Sequence, residues 1–214
     1  MQSDSLFFIG KMVKTEDDIN TEESSKCLKL NEKDKVSGSQ WYAMSATFGR
    51  SVKAKEYLDN NGITCFVPMK YVLVPDKKRR KVRKLVPAIN NLIFVYTTRE
   101  VIQEQKTRLG YLHYLTTPVN GRNVPILVPE SQMRQFMAVC DTLHETLVYL
   151  SPDEVHLEKG TPVKIVGGEF DGVEGIFVKV SGKRKKQVVV CVQGIAAVMI
   201  VEFADGYLQV MELN

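Results

Sequence analysis

The residue types that most often perform catalysis are scattered along this 214-residue chain. Its three histidines, His113, His144 and His156, follow no metal-binding or catalytic spacing, and His113 is expected to pack or hydrogen-bond within the fold. The cysteines form no C-x-x-C pair, which favours buried thiols in a reducing compartment over disulfides or zinc. They are Cys27, Cys65, Cys140 and Cys191. Without a nucleotide-binding or nucleophile motif, we expect no enzyme activity, no metal and no cofactor.

Cationic and aromatic side chains near residue 50 could contact nucleic acid. Arg50 and Lys53 share a helix face at i, i+3 spacing, and Phe48 precedes them. Cations reach phosphates, and an aromatic ring can stack on an unpaired base. The alternative is a solvated helix start. A second cationic run, Lys77–Lys84, predicts an exposed hairpin tip, for which nucleic-acid contact is the functional alternative. The net charge of +4 permits a nucleic-acid partner without requiring one.

The first half of the chain alternates strand and helix patterns. Leu92–Tyr96 is a continuous apolar run of the kind buried at the centre of a sheet. Apolar spacing after Pro129 predicts a helix that continues to Leu147. This order predicts an α+β sandwich, an antiparallel sheet flanked by helices. The other predicted elements are strands at Trp41–Ala46, Ile63–Val74 and Tyr111–Thr116 and helices at Arg50–Asn60 and Arg99–Leu109.

The second half is rich in short alternating runs, and Gly160–Val180 is its most distinctive part. Two such runs flank a turn in which Gly168 and Gly172 permit positive φ and Phe170 supplies an apolar anchor. From Glu158 onward every segment is strand or turn, and five short strands fit a small barrel.

The stretch Gly160–Val180 resembles a KOW motif, in which Gly168, Phe170, Gly172 and Gly175 would shape the turn. An α+β domain before such a barrel resembles the NusG family of transcription elongation factors. Two further segments, Trp41-Tyr42 and Ile63–Met69, are similar to the family's strands. A third segment, Pro87–Val95, is similar to the family's P-x-F-P-G-Y-x-F-V element. In that segment Asn90-Asn91 replaces Pro-Gly, and Leu92 replaces the aromatic residue.

The resemblance implies an NGN sandwich followed by an SH3-like, all-β KOW barrel. Polar composition predicts disorder before the first domain, because such a segment buries too little apolar surface to offset its ordering entropy. Runs such as Val188–Val190 favour a stable barrel over the helical hairpin that the RfaH C-terminal domain can form. The predicted divisions are a disordered extension at 1–39, the NGN domain at 40–147, a linker at 148–157 and the KOW domain at 158–214.

Two segments, Gly110–Leu115 and Ile126–Pro129, are more similar to the specialised paralogues of the RfaH and UpxY types than to housekeeping NusG. An extended N-terminal tail also suits a paralogue. The resemblance therefore implies an antitermination or elongation factor that suppresses pausing or termination, of a capsular-polysaccharide-type operon. The alternatives are a housekeeping NusG-like elongation factor and a ribosome-associated RNA-binding KOW protein.

The family resemblance also implies partners and contact residues. The first domain would bind the clamp helices of RNA polymerase, and its DNA-contact candidates Phe48, Arg50 and Lys53 would face non-template DNA or nascent RNA. The second domain would recruit a ribosomal protein or Rho, with Lys183–Lys186 as an alternative RNA contact. We expect a cytoplasmic monomer without a membrane partner. The polymerase-binding candidates are Leu92, Phe94, Tyr114 and Leu127, with Gln103, Glu104 and Gln105 as a second polymerase contact.

Overall fold

A computed structural model describes residues 37–75, 77, 79–142, 147–150, 160–168, 170–179, 186–192, 195–200 and 208–211. Several predicted features lie outside the described residues: positions 1–36 of the predicted disordered extension 1–39, most of the predicted linker and the first three residues of the run Lys183–Lys186. Cys27, His144 and His156 lie outside them too.

The described residues of the first half form a five-stranded sheet, two separate two-stranded ribbons and three helices. The helices run Ser51–Asn60 (α1), Arg99–Leu109 (α2) and Glu130–Cys140 (α3). The strands of the sheet are Gln40–Ala46 (β1), Thr64–Phe66 (β2), Leu92–Thr97 (β5), Leu112–Tyr114 (β6) and Leu127–Val128 (β9). The ribbons are Met69–Pro75 (β3) with Lys81–Pro87 (β4), and Thr116–Val119 (β7) with Arg122–Pro125 (β8).

The sheet has the order β2-β5-β1-β6, with β9 also paired to β1, and all of its pairings are antiparallel. The two central strands, β1 and β5, are buried on both faces because each face is covered by other elements. One face packs on α1 and α2, through Ala54, Leu58 and Ile102. The opposite face packs on α3, whose Phe136 ring makes edge contacts with Phe94 at 5.9 Å and Phe66 at 6.4 Å.

Helix α2 has the predicted bounds, Arg99–Leu109, and its ends explain why. The Thr98 side chain caps the start by accepting a hydrogen bond from the Val101 amide. Gly110 ends the helix with φ of 62°, and its amide donates to the Lys106 carbonyl. Glu100 in the first turn and Lys106 in the last complement the helix dipole.

The helix predicted after Pro129 is shorter than its apolar spacing indicated. It ends at Cys140, and Leu147 begins a strand, Leu147–Leu150 (β10), instead of ending the helix. β10 pairs with Ala196–Ile200 (β14), so these residues join a second sheet. The apolar spacing was ambiguous because Leu147 and Tyr149 also alternate with the period of a strand.

The second sheet is antiparallel and has six strands in the order β10-β14-β13-β12-β11-β15. Among the described residues after 158 there are five strands, the number that the sequence predicted. Those strands are Thr161–Ile165 (β11), Glu174–Lys179 (β12), Lys186–Val192 (β13), β14 and Leu208–Val210 (β15). Within the described residues β10 and β15 are the two ends of the sheet.

Helix α3 lies between the two sheets and belongs to one apolar cluster with both. Its Phe136 and Met133 are fully buried in that cluster, together with Val188 and Val190 of β13. The Gln135 side-chain oxygen accepts a hydrogen bond from the Glu174 amide at 3.1 Å. The two halves of the chain therefore share a core through α3.

Candidate functional site

The loop Thr47–Arg50 turns the chain from β1 into α1 through two residues with positive φ, Phe48 at 61° and Gly49 at 67°. Hydrogen bonds hold the loop at both ends. The Thr47 amide donates to the Tyr111 carbonyl at 3.0 Å, and the Gly49 amide donates to the Asn91 side-chain oxygen at 2.8 Å. The loop is thus fixed by neighbouring segments of the chain.

Phe48 is 85% exposed, the largest exposure among the large apolar side chains that the structure describes. A positive φ is uncommon for a bulky residue without glycine's freedom. Because the ring gains little from packing and its backbone is strained, stability alone does not explain a phenylalanine here. The ring is presented to solvent on a loop that hydrogen bonds keep in place.

Arg50 lies beside Phe48 and in contact with a second ring. Its guanidinium carbon is 5.4 Å from the centroid of Phe48 and 5.0 Å from that of Tyr111. Both distances are in the range of cation–π contacts. An exposed ring next to a guanidinium offers a stacking surface and a phosphate partner at one place, which is the combination that single-stranded nucleic acid requires.

The three predicted nucleic-acid residues are therefore close together in sequence and in space. Arg50 is the residue that precedes α1, and Lys53 is exposed in its first turn. Sequence reasoning missed Tyr111 and Asn91, because both lie more than 40 residues from the loop. The sequence held one signal for Asn91, because it takes the place of the motif's glycine and asparagine tolerates the left-handed region. In the structure Asn91 has a φ of 63°.

The four predicted polymerase-binding residues do not form one surface patch. Phe94 faces Ala43 in the β1–β5 register, whereas Tyr114 faces Met44 and lies on the opposite side of the sheet. Leu92 shares the side of Phe94, and Leu127 shares that of Tyr114, because it faces Tyr42. The four candidates thus divide into two pairs on opposite faces of the sheet.

The two pairs also differ in exposure. Phe94 is fully buried and Leu92 nearly so, because α3 covers their side of the sheet. On the other side Leu127 is 47% exposed and Tyr114 is half-buried. Of the four candidates, therefore, only Tyr114 and Leu127 have side chains that reach solvent in this structure.

Tyr114 lies among aromatic and cationic groups. Its ring centroid is 5.8 Å from that of Tyr42, and the Lys106 ammonium is 4.3 Å from the Tyr114 centroid. Burial raises the pKa of Tyr114, Tyr42 raises it further, and the positive charge of Arg99 lowers it. The Tyr114 hydroxyl is buried and has no hydrogen-bond partner among the described residues.

The second predicted polymerase contact is only partly at the surface. Gln103 and Glu104 are exposed on α2, and Glu104 forms an ion pair with Arg108 at 2.6 Å. Gln105 is buried at 6% exposure, so it faces the domain interior.

The glycine-rich turn of the second half has the backbone its sequence predicted. Gly168 and Gly172 have φ of 75° and 79°, and Phe170 is buried at 5% exposure. Gly175 has another reason to be glycine: a Cβ there would lie 2.8 Å from both the Val189 carbonyl oxygen and a Val188 methyl. Gly168 and Gly172 thus shape the turn, and Gly175 allows close packing in strand β12.

Two features are absent from the described residues. No group of three or more His, Cys, Asp and Glu side chains there could hold a metal ion. Among the same residues, no helix has both the length and the apolar character needed to cross a membrane.

One family model matches somewhat less than half of the chain. Residues 39–137 match the family model for NusG, described as "Transcription termination factor nusG". The match covers the five-stranded sheet and most of the three helices. None of the curated proteins compared with the chain matches it. A solved structure described as "Domain interaction in Thermotoga maritima NusG" is similar at 19% identity and a TM-score of 0.37, covering 76% of this chain and 93% of that one.

Proposed function

We propose that this NusG-like factor, whose residues 39–137 form a NusG family domain, binds RNA polymerase and suppresses pausing or termination. The family match over the first sheet carries the polymerase-binding part of the proposal, because members of this family generally bind the polymerase. The residues from 158 onward would form a KOW barrel behind a linker at 148–157, and β10 would place the first linker residues in its sheet.

The polymerase would dock at the edge of the first sheet, where β6 and β9 carry Tyr114 and Leu127. Leu127 offers exposed apolar surface, and Lys106 and Arg99 add positive charge near Tyr114. An apolar contact with a polar rim is the usual composition of a protein interface. Leu92 and Phe94 would act indirectly, because their packing on α3 sets the position of the strands that carry the surface residues.

The specialised form of the proposal, antitermination on a capsular-polysaccharide-type operon, rests on the Phe48 loop. A factor that acts on one operon must recognise nucleic acid and not only polymerase. Phe48 could stack on an unpaired base of the non-template strand, while Arg50 and Lys53 neutralise phosphates. The exposed, strained aromatic is the observation that favours this form of the proposal over a general elongation role.

The housekeeping alternative has one observation in its favour. The matched family model is described as a termination factor, and a general NusG-like role would include effects on termination by Rho or a ribosomal protein bound to the second domain. On that alternative, the effect of the protein would not depend on the leader sequence or on Phe48.

The proposal is tested by transcription of the protein's own operon leader with its own polymerase. We expect the purified protein to shorten pauses and increase terminator read-through several-fold. Leu127→Glu should abolish both effects, whereas Val119→Glu, the same change at a similarly exposed residue, should not. Phe48→Ala should lose the effect on this leader but retain polymerase binding.

Each other outcome rejects part of the proposal. Absence of polymerase binding together with absence of any effect on the leader would reject the whole of it. An equal effect on unrelated templates, unchanged in Phe48→Ala, would identify the housekeeping role. Capture of ribosomal subunits in place of polymerase would favour the ribosome-associated alternative.

A further inference from the structure

Strands β3 and β4 form an antiparallel ribbon that belongs to neither of the larger sheets. Its register runs through seven pairs, from Met69 opposite Pro87 to Pro75 opposite Lys81. At about 3.3 Å per residue, the ribbon is roughly 20 Å long. At its base, the Tyr149 hydroxyl donates a hydrogen bond to the Met69 carbonyl at 3.1 Å. The ribbon is therefore an arm whose base is attached to the second half of the chain.

Positive charge is concentrated on this arm. Between Lys70 and Pro87 the sequence has eight Lys and Arg and one acidic residue, Asp76, which gives a net charge of +7. Because the net charge of the whole chain is +4, the rest of the chain has a net charge of −3. A protein that is only mildly basic as a whole thus carries a strongly basic arm on a slightly acidic body.

The cations lie on both faces of the ribbon. Lys70 is paired with Val86 and Lys84 with Val72, which places both lysines on one face. Arg83 is paired with Leu73 and Lys81 with Pro75, so these cations lie on the other face. All four cationic side chains are exposed. A ligand with negative charge on one side only would leave half of them unused.

Each face also exposes an apolar side chain next to one of its cations. Leu73 is 64% exposed on the face of Arg83, and Val82 is 40% exposed on the face of Lys84. Tyr71 is the ribbon's aromatic residue, and its ring is already covered by the Arg83 guanidinium at 4.3 Å. The ribbon therefore has apolar contacts to offer but no open ring on which an unpaired base could stack.

We propose that the β3–β4 ribbon is a second nucleic-acid-binding element, separate from the Phe48 loop, that enters the major groove of duplex DNA. The major groove of B-DNA is wide enough for a two-stranded ribbon and has a phosphate chain on each side, matching cations on two faces. Lys70 and Lys84 contact one phosphate chain, and Lys81 and Arg83 the other. Leu73 lies beside Arg83 on one face and Val82 beside Lys84 on the other, so each face brings an apolar side chain to the groove wall next to its phosphate contacts.

Duplex DNA fits these observations better than the other nucleic acids. Double-stranded RNA has a major groove too deep and narrow for such an element. Single strands bind chiefly through stacking, for which the ribbon has no open ring. The proposal does not depend on polymerase binding, so it can hold or fail independently of the proposed function.

The test measures binding of the full chain to a labelled duplex of about 25 base pairs, without polymerase, over a range of salt concentrations. Lys70→Ala/Lys84→Ala should weaken binding about tenfold at roughly 0.1 M salt and reduce the slope of log K against log salt by about 2, one for each lost phosphate contact. Arg122→Ala/Arg134→Ala removes the same charge from exposed sites outside the ribbon, and it should leave the slope unchanged.

Parallel titrations with one strand of the duplex and with double-stranded RNA of the same sequence identify the ligand. The proposal is supported if the duplex binds more tightly than either and only duplex binding depends on Lys70 and Lys84. It is overturned if both variant pairs lose affinity equally, if neither does, or if the single strand or the RNA shows the dependence on these lysines. Circular dichroism verifies that each variant is folded.

Discussion

Phe48 is positioned by hydrogen bonds that other residues make, since its ring has little packing of its own. Its backbone has a φ of 61°, where a side chain with a Cβ is disfavoured by about 1–2 kcal/mol. Residues that reduce stability in this way are often kept for a function. If Phe48 is such a residue, removal of its ring should weaken nucleic-acid binding without lowering stability.

Phe48→Gly should leave the free energy of unfolding unchanged or raise it by up to about 1 kcal/mol. Glycine relieves the strain at positive φ, and its greater freedom in the unfolded chain offsets part of that gain. Urea denaturation measures the effect, and binding of a single-stranded oligonucleotide should weaken in the same variant. A loss of stability above about 1 kcal/mol would mean that the ring contributes to packing, against the proposed role.

Asp141, the residue that follows α3, predicts a pH dependence of stability. Burial raises the pKa of its carboxyl from 3.8 to about 6, and the positive charge of Lys55 only partly opposes the rise. One carboxylate oxygen, Oδ2, is buried without a hydrogen-bond partner among the described residues. Because the native pKa is the higher one, the contribution of this group to stability is complete below about pH 3.8 and is lost as the pH rises through 6.

Asp141→Asn should therefore be more stable than the unmodified protein at pH 7.5, by about 2 kcal/mol, and equally stable at pH 3.5. Equilibrium urea denaturation at several pH values measures the difference, and the low-pH comparison serves as the control because both side chains are then neutral. A difference in stability that does not vary with pH would show that the carboxyl does not titrate as the structure indicates.

At the scale of elements, the sequence predicted the parts whose local signals agree with their tertiary contacts. Helix α2 has the predicted bounds because Thr98 and Gly110 mark its ends chemically. The predicted end of α3 was wrong because no glycine follows Cys140 in the sequence to mark the end of the helix. The apolar spacing also continues into β10. The separation of Leu92 from Leu127 was not predictable, because it depends on which neighbours pair with β1.

Two glycines of the second half, Gly172 in the turn and Gly175 in strand β12, provide a pair of substitutions to compare. Gly175→Ala should cost about 1–3 kcal/mol, because the added Cβ would lie 2.8 Å from the Val189 backbone oxygen. Gly172→Ala should cost about 1 kcal/mol, because that position is open and only its φ of 79° is unfavourable. Thermal denaturation compares the two variants. If Gly175→Ala lost no more stability than Gly172→Ala, the space around position 175 would not be what requires glycine there.

At the scale of the whole molecule, the apolar cluster around α3 connects the two sheets. Phe136 contacts Phe66 and Phe94 of the first sheet, and the same cluster contains Val188 and Val190 of the second. A shared core makes the unfolding of one half unfavourable for the other. The two halves should then unfold together, although the sequence suggested separate domains.

Trp41, the single tryptophan of the chain, lies in β1 at 2% exposure and so reports on the first sheet. We expect its fluorescence and the far-ultraviolet circular dichroism, which also includes the second sheet, to change at the same urea concentration. Phe136→Ala should lower the free energy of unfolding by about 3–5 kcal/mol, since it leaves a cavity at the junction, and should shift both signals. Arg134→Ala, on an exposed position of the same helix, should shift neither. If the unmodified protein gave two separate transitions, or if Phe136→Ala moved only the tryptophan signal, the cluster would not couple the two halves in solution.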